Sequence, residues 1–391
     1  MQNFTYHNPV KLVFGKGSIK QLADLIPSGT KIMMTYGGGS IKTNGVYDQV
    51  KNALRNHTVI EFGGIEANPL YETLMKAVEL GKKENAGFLL SVGGGSVLDG
   101  TKFIAAAMRF EKGDPWEILA SGAEVKSAVP IGCVLTLSAT GSEMNGFSVV
   151  SRKTPTEKRA FASPHVYPQF SILDPETTCS LPKRQVINGI IDPFVHVTEQ
   201  YLTFDLNTPL QDRQAEGILL TLIDQGPKAL QSPKDYDIRA NLMWCATQAL
   251  NGLIGCGVAH DWATHYIGHE LTALYGIDHA QSLAVVLPGV LRHQKARKLQ
   301  KLAQYGRRVW NISGLSDSDT ADQAIARTES FFRSLGVATT LTEYNIPEES
   351  GRLVADRISG RGEMLGEHQA IGKKEIREIL DLCYRNELAH P

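Results

Sequence analysis

Twice in its first hundred residues the chain runs a short apolar segment into three glycines and a serine. Residues 31–36 (KIMMTY) lead into Gly37-Gly38-Gly39-Ser40, and residues 87–92 (GFLLSV) lead into Gly93-Gly94-Gly95-Ser96. A buried strand that stops at a glycine turn and continues as a helix is the building unit of a parallel α/β sheet. Glycines let the backbone approach a phosphate closely, and a helix start behind them offers free N–H groups and a partial positive charge. Further strands are expected at 59–63 (VIEFG) and 129–137 (VPIGCVLTL). Helical spacing appears at 69–84 (Leu70, Leu74, Ala77, Val78), with Pro69 suited to a first turn. The resulting fold class is a doubly wound, mostly parallel α/β domain that binds a nucleotide.

After the second triplet, a helical run extends through Ala107, and Ser96 followed by Asp99 reads as a capping box at its start. Neither loop is a G-x-G-x-x-G, so the nucleotide is held differently from the usual dinucleotide fingerprint. The first loop speaks to which nucleotide. An NAD site commonly places a carboxylate on the ribose 2′-hydroxyl, where it would repel a 2′-phosphate. Here Gly37, Gly38, Gly39 and Ser40 offer room, a hydroxyl and amide donors, with Lys42 close behind and no acid. NADP is favoured.

Beyond Leu181-Pro182 the texture changes to amphipathic helices, at 184–202, 215–230, 236–253, 262–274 and further along. We therefore expect two domains, 1–181 as the dinucleotide-binding α/β domain and 182–391 as an all-α domain that holds metal and substrate. A chain of 391 residues exceeds one ordinary core. A net charge of -1 argues against nucleic acid or an anionic membrane as partner. No signal peptide is evident at the start and no apolar run is long enough for a membrane helix. The five cysteines (Cys133, Cys179, Cys245, Cys256, Cys383) are odd in number and scattered, without a C-x-x-C pair. They read as buried thiols in a reducing, cytoplasmic setting.

The helical half carries a second constellation. Asp192 and His196 stand four apart in 184–202, so they share a helix face, and His265 and His269 repeat that spacing in 262–274. His279 lies ten residues beyond His269, whereas His260 falls off the His265 face and reads as a surface or capping residue. Asp192 and His196 sit among Ile190, Ile191, Phe194, Val195 and Val197. Polar groups on so apolar a stretch need a compensating partner, and a divalent metal supplies one. Imidazole and carboxylate donors suit zinc or ferrous iron.

With GGGSVLDGTK (93–102), TLSATGSE (136–143), WATHYIGHELTA (262–273) and DHAQ (278–281), the chain resembles the iron-containing alcohol dehydrogenases over nearly its whole length. The resemblance is to their NADP-dependent butanol dehydrogenase and broad-range aldehyde reductase branch. It implies Asp192, His196, His265 and His279 as metal ligands, with His269 outside the ligand set beside the substrate. It also implies Gly94, Gly95, Ser96 and Asp99 around the pyrophosphate. Thr136, Thr140, Asn145 and Lys158 would then line the rest of the cofactor cleft, with Asn68 near the adenosine end. A homodimer is implied as well. Pro193, directly after the first ligand, departs from the family pattern and is expected to cost one backbone bond and tilt the helix.

The implied chemistry is reversible hydride transfer between NADP(H) and a small primary alcohol or aldehyde whose oxygen the metal polarises. His269 is the candidate proton relay. Trp262, Tyr266, Ile267 and Leu271 on the ligand helix suit a small apolar aldehyde. Two other classes compete: a sugar-phosphate cyclase or lyase of the dehydroquinate synthase type, and a non-catalytic nucleotide-binding protein. The first calls for Lys and Arg beside the ligands. An assay with NADPH and butanal separates the second.

Overall fold

The computed structural model describes residues 1–384. It contains two compact units: His7–Gln185 with Ser232–Asn251, and Met1–Tyr6 with Val186–Gln231 and the chain from Gly252 onward. The division is therefore not a single cut at 181. The helix Tyr236–Ala249 belongs to the sheet unit, because Thr247 Oγ1 donates to Glu143 Oε1 at 2.5 Å and Met243 is buried in the sheet's core. Conversely, the first residues join the helical unit, where Gln2 N–H donates to the Gly257 carbonyl at 3.0 Å.

In the sheet unit, strands β1 (Lys11–Phe14), β2 (Ile32–Tyr36), β3 (Val59–Phe62), β4 (Phe88–Gly94), β5 (Ile131–Leu137) and β8 (Phe170–Leu173) form one parallel sheet in the order β1-β8-β5-β4-β2-β3. Strands β6 (Phe147–Arg152) and β7 (Glu157–Ala162) make a separate antiparallel pair. Alternate residues of the central strands enter two cores. Met33, Leu89, Cys133 and Leu135 pack with Leu74, Phe103 and Ile104, while Ile32, Met34, Leu90 and Val134 pack with Leu22, Val50 and Ile172. Both faces are covered, which is why these strands read as unbroken apolar runs.

Strand order reverses where β4 meets β2, and the two glycine loops leave the carboxyl ends of those two strands. In open α/β sheets such a switch point is where ligands bind.

The helical unit is built from Lys183–Tyr201, Pro209–Gln231, Ala263–Tyr275, His279–His293 and four further long helices. Its core gathers Ile267, Leu271, Val285, Val286, Val354, Ile358, Ile376 and Ile379. Ile267 and Leu271 are thus committed to packing and do not face a substrate, contrary to the expectation above; Trp262 and Tyr266 remain accessible. No helix among the described residues is long and apolar enough to cross a membrane. All five cysteines are free thiols, four buried and Cys179 partly exposed.

Candidate active site

The helix Lys183–Tyr201 runs unbroken through Pro193 and is buried from Ile190 to Tyr201. Its i, i+4 spacing puts Asp192 and His196 on one face, with His196 Nε2 3.5 Å from Asp192 Oδ1. His265 projects from the first turn of Ala263–Tyr275, and its Nε2 is 3.7 Å from the same oxygen. That helix ends at Gly276, whose φ of 69° reverses the chain, so that His279 opens the next helix. His279 Nε2 also lies 3.7 Å from Asp192 Oδ1. Ligand atoms of Asp192, His265 and His279 all fall within 4.8 Å of one another.

These separations are longer than the usual hydrogen-bond range. Four ligands at 2.0–2.1 Å from a tetrahedral ion stand about 3.3–3.4 Å apart, close to the spacings seen here. His265 Nε2 is buried without a hydrogen-bond partner and points to this centre, while its Nδ1 is bonded to Glu199. The donors fit a divalent ion of the zinc or iron type. Burial lowers the His196 pKa to about 4, leaving it neutral and able to coordinate. Burial also works to lower His265, but the Glu199 and Asp192 charges outweigh it and raise it to about 9. Burial raises Glu199 in turn, against the opposing pull of the His265 charge.

Sequence reasoning passed over Glu199. It lies seven residues after Asp192 and three after His196 on the same helix face, which was the available signal. Besides His265 Nδ1, it accepts the Thr264 N–H at 2.6 Å, tying the Lys183–Tyr201 and Ala263–Tyr275 helices together through one carboxylate. His269, partly exposed, stands with its ring 5.0 Å from that of His279 and 6.2 Å from that of His265. His260 is exposed, its Nε2 3.0 Å from the Gly255 carbonyl oxygen.

In the sheet unit the second glycine loop opens the helix Gly95–Arg109, buried from Val97 to Ala107. The expected capping box does not form. Asp99 turns inward, accepting Ser142 Oγ at 2.6 Å and the Val149 N–H at 3.0 Å, while Ser96 Oγ accepts the Asn68 N–H at 3.3 Å. With no side chain on them, the first N–H groups of the helix stay available to an anion. Asn68, in a left-handed conformation at φ 56°, accepts from Lys158 Nζ at 2.8 Å, so Asn68, Ser96 and Lys158 meet beside the loop.

Thr140 packs against Gly95, where an added Cβ would lie 2.4 Å from Thr140 Oγ1; the close approach requires glycine. Thr136 is buried at the end of β5. Asn145 is turned inward and fully used, donating to the Gly141 and Leu250 carbonyls and accepting from Phe147 N–H.

Lys102, fully buried, was also missed. Its Nζ donates to the Ser142, Asn145 and Phe147 carbonyls at 2.7–2.9 Å and to Ser142 Oγ at 2.7 Å. One helical turn thus takes the donors of segment 142–149 on Asp99 and its acceptors on Lys102. Burial lowers the Lys102 pKa to about 8, so it keeps its proton at neutral pH.

The first glycine loop adjoins the second: a Cβ on Gly37 would touch Val97 at 3.5 Å, whereas Gly38 faces open space. Lys42 Nζ lies 4.9 Å from the Tyr36 ring centroid. The nearby acid Glu61 is engaged by Tyr47 at 2.8 Å and Lys51 at 3.0 Å.

Comparison with known proteins shows the family to which the chain belongs. Residues 9–175 match the family described as iron-containing alcohol dehydrogenase, and 186–384 match the C-terminal part of the Fe-containing alcohol dehydrogenase family. The chain is 55% identical over 384 residues to the NADPH-dependent aldehyde reductase YqhD of Escherichia coli (strain K12), covering 97% of this chain and 99% of that protein. It is 42% identical to a probable NADH-dependent butanol dehydrogenase 1 of Bacillus subtilis (strain 168), covering 97% and 99%. The crystal structure of the E. coli K-12 protein superposes with a TM-score of 0.96 over 98% of this chain and 99% of that one, at 54% identity. The chain belongs to the iron-containing alcohol dehydrogenase family.

Proposed function

We propose that this iron-containing alcohol dehydrogenase works as an NADPH-preferring aldehyde reductase on small aldehydes, reversibly oxidising the corresponding primary alcohols. The observation that carries it is the cluster of Asp192, His265 and His279, with His196 Nε2 3.5 Å from the same Asp192 oxygen. When bound there, a divalent iron or zinc ion supplies Lewis-acid polarisation of the substrate oxygen. The chain's own groups do the rest. Glu199 holds the Nδ1 side of His265 and directs its Nε2 toward Asp192, the second-sphere role that orients metal-binding imidazoles. Asp192 supplies the one negative charge among the four donors. His269, beside His279 and partly exposed, passes a proton to the substrate oxygen as the carbonyl carbon receives the hydride.

In the sheet unit the helix start at Gly95 receives the pyrophosphate, with Gly94, Ser96, Asn68, Lys158, Thr136 and Thr140 around the cofactor. Asp99 and Asn145 act indirectly, by fixing segment 142–149. The relatives differ in their nucleotide, so the first loop bears the preference. Gly37, Gly38, Gly39 and Ser40 leave room for a 2′-phosphate, Lys42 brings a positive charge, and Glu61 is already neutralised by Lys51.

The test is turnover of butanal with NADPH and NADH, run beside metal analysis of the purified protein. One metal per chain and a clear preference for NADPH support the reading; turnover that survives complete chelation, or equal efficiency with both cofactors, contradicts it. His269→Ala should lower kcat, leave the NADPH Kd unchanged, and be partly rescued by added imidazole.

A further inference from the structure

We propose that Trp262 is a positioning residue for the metal ligands, its indole fixing the ring plane of His196 against His265. The inference rests on the metal reading above. Its starting point is backbone conformation. Among the described residues, seven non-glycine positions have positive φ; five are Asn and one is Gln. The seventh is Trp262, at φ 61° and ψ 5°. Asn tolerates the left-handed region through its short polar side chain, whereas a bulky residue is strained there.

The surroundings enforce this conformation. Asp261 Oδ1 accepts the Ala263 N–H at 2.9 Å, Asp261 N–H donates to the Glu199 carbonyl at 2.9 Å, and Tyr266 N–H donates to the Trp262 carbonyl at 3.1 Å. Asp261 is itself anchored by buried Lys298, 2.8 Å away. A glycine or asparagine would satisfy the same bonds at less strain, so the backbone does not call for an indole. Strain of this kind gathers where a side chain must be aimed.

The indole is aimed at the ligands. Its centroid is 5.5 Å from that of His265 at 78°, and 6.3 Å from that of His196 at 67°, an edge-on contact with both. The two imidazoles lie nearly parallel, 4.6 Å apart at 16°. On its other flank the indole meets His260 edge-on at 5.7 Å, and that ring is held by the Gly255 carbonyl.

Here the two ligands differ. His265 is oriented by Glu199, but His196 Nδ1 is buried with no hydrogen-bond partner. A ligand imidazole ordinarily has such a partner to set its plane, because the torsion that turns the ring is soft. For His196 the aromatic contacts of His265 and Trp262 take that role.

The experiment titrates metal-free protein with Zn2+, and with Co2+ as a spectroscopic probe, in the unmodified chain and in Trp262→Gly, Trp262→Asn and Trp262→Phe. Removal of the ring should weaken Zn2+ binding about tenfold or more and alter the visible Co2+ absorption band. The metal-free Gly and Asn proteins should melt no lower than the unmodified one, since they relieve the left-handed backbone. Trp262→Phe keeps a ring and should restore most of the affinity.

Zn2+ affinity within about twofold in both Gly and Asn variants, with an unchanged Co2+ band, would overturn the inference. So would metal-free variants whose melting temperatures fall along with their affinity, because the indole would then be supporting the fold. An unmodified protein that binds no metal overturns the metal reading itself and this inference with it.

Discussion

At its glycine loops the sheet unit offers mainly main-chain groups: the free N–H groups at the start of Gly95–Arg109, and glycines whose side chains would collide with Thr140 or Val97. The helical unit offers side chains instead, four donors on three helices meeting around Asp192 Oδ1. Their supports differ accordingly. Behind the second glycine loop, Asp99 and Lys102 hold a length of backbone in place; beside the Asp192 cluster, Glu199 is bonded to His265 Nδ1 and Trp262 meets the His265 ring edge-on. A main-chain site tolerates a change of side chain unless it adds bulk or charge. A side-chain site fails when one donor is lost. That asymmetry can be broken by measurement.

The largest effect is expected from His265→Ala. Losing a donor should remove the metal and with it several kcal/mol of transition-state stabilisation, roughly a 10³-fold drop in kcat/KM. NADPH binding, followed by fluorescence titration, should persist. Next is Lys102→Met, which deletes a buried cation and strands three carbonyls; the sheet unit should lose about 3–5 kcal/mol in denaturant unfolding. Metal stoichiometry of the folded fraction should stay at the unmodified value, and a parallel loss of metal would blur the division drawn here.

Gly38→Asp should come third. Gly38 faces open space without a positive φ, whereas Gly39, at φ 101°, would add backbone strain to any test of charge. A carboxylate there should cost NADPH about 1–4 kcal/mol against NADH, read as the ratio of kcat/KM values. An unaltered ratio would place the 2′-phosphate elsewhere.

The smallest concerns Glu343, in the helical unit but apart from the ligands. Hydrogen bonding to Arg333 holds its carboxyl at about 2, below the ordinary 4.5. A depressed carboxylate stabilises the fold above pH 4.5 and loses that contribution as pH falls toward 2. Because the pair is partly exposed, Glu343→Gln should cost about 1 kcal/mol or less at neutral pH. The difference should vanish at the acid end, with metal and NADPH affinity unmoved at neutral pH.

The two regions also differed in how much of them could be read beforehand. Helical spacing made the pairs Asp192–His196 and His265–His269 visible, whereas placing His279 with them and His269 outside came from the family resemblance. Glu199 obeys the same spacing but looks like any helical acid until His265 is seen against it. In the sheet unit, strands β2, β4 and β5 announced themselves as apolar runs. Four-residue β3 was read as VIEFG, whereas the equally short β1 and β8 were not, and the hairpin β6-β7, with its turn KTPT at 153–156, reads as a polar loop. The inward turn of Asp99 depends on β6, which lies some fifty residues away, so local sequence suggested a cap instead. Amphipathic pattern gave the helix Tyr236–Ala249 but not its partner, and Thr247 pairing with Glu143 sends it to the sheet.

The central claim is that metal and nucleotide are held by separate parts of the chain, one through side chains and one through main chain. Its most direct test is paired calorimetric titration of metal-free unmodified protein and His279→Ala, first with Zn2+ and then with NADPH. The account predicts one Zn2+ per unmodified chain, no saturable Zn2+ binding in His279→Ala, and NADPH Kd values within about twofold of each other. A His279→Ala protein that still binds one Zn2+ with unmodified affinity, or one that loses NADPH binding while remaining folded, would contradict it.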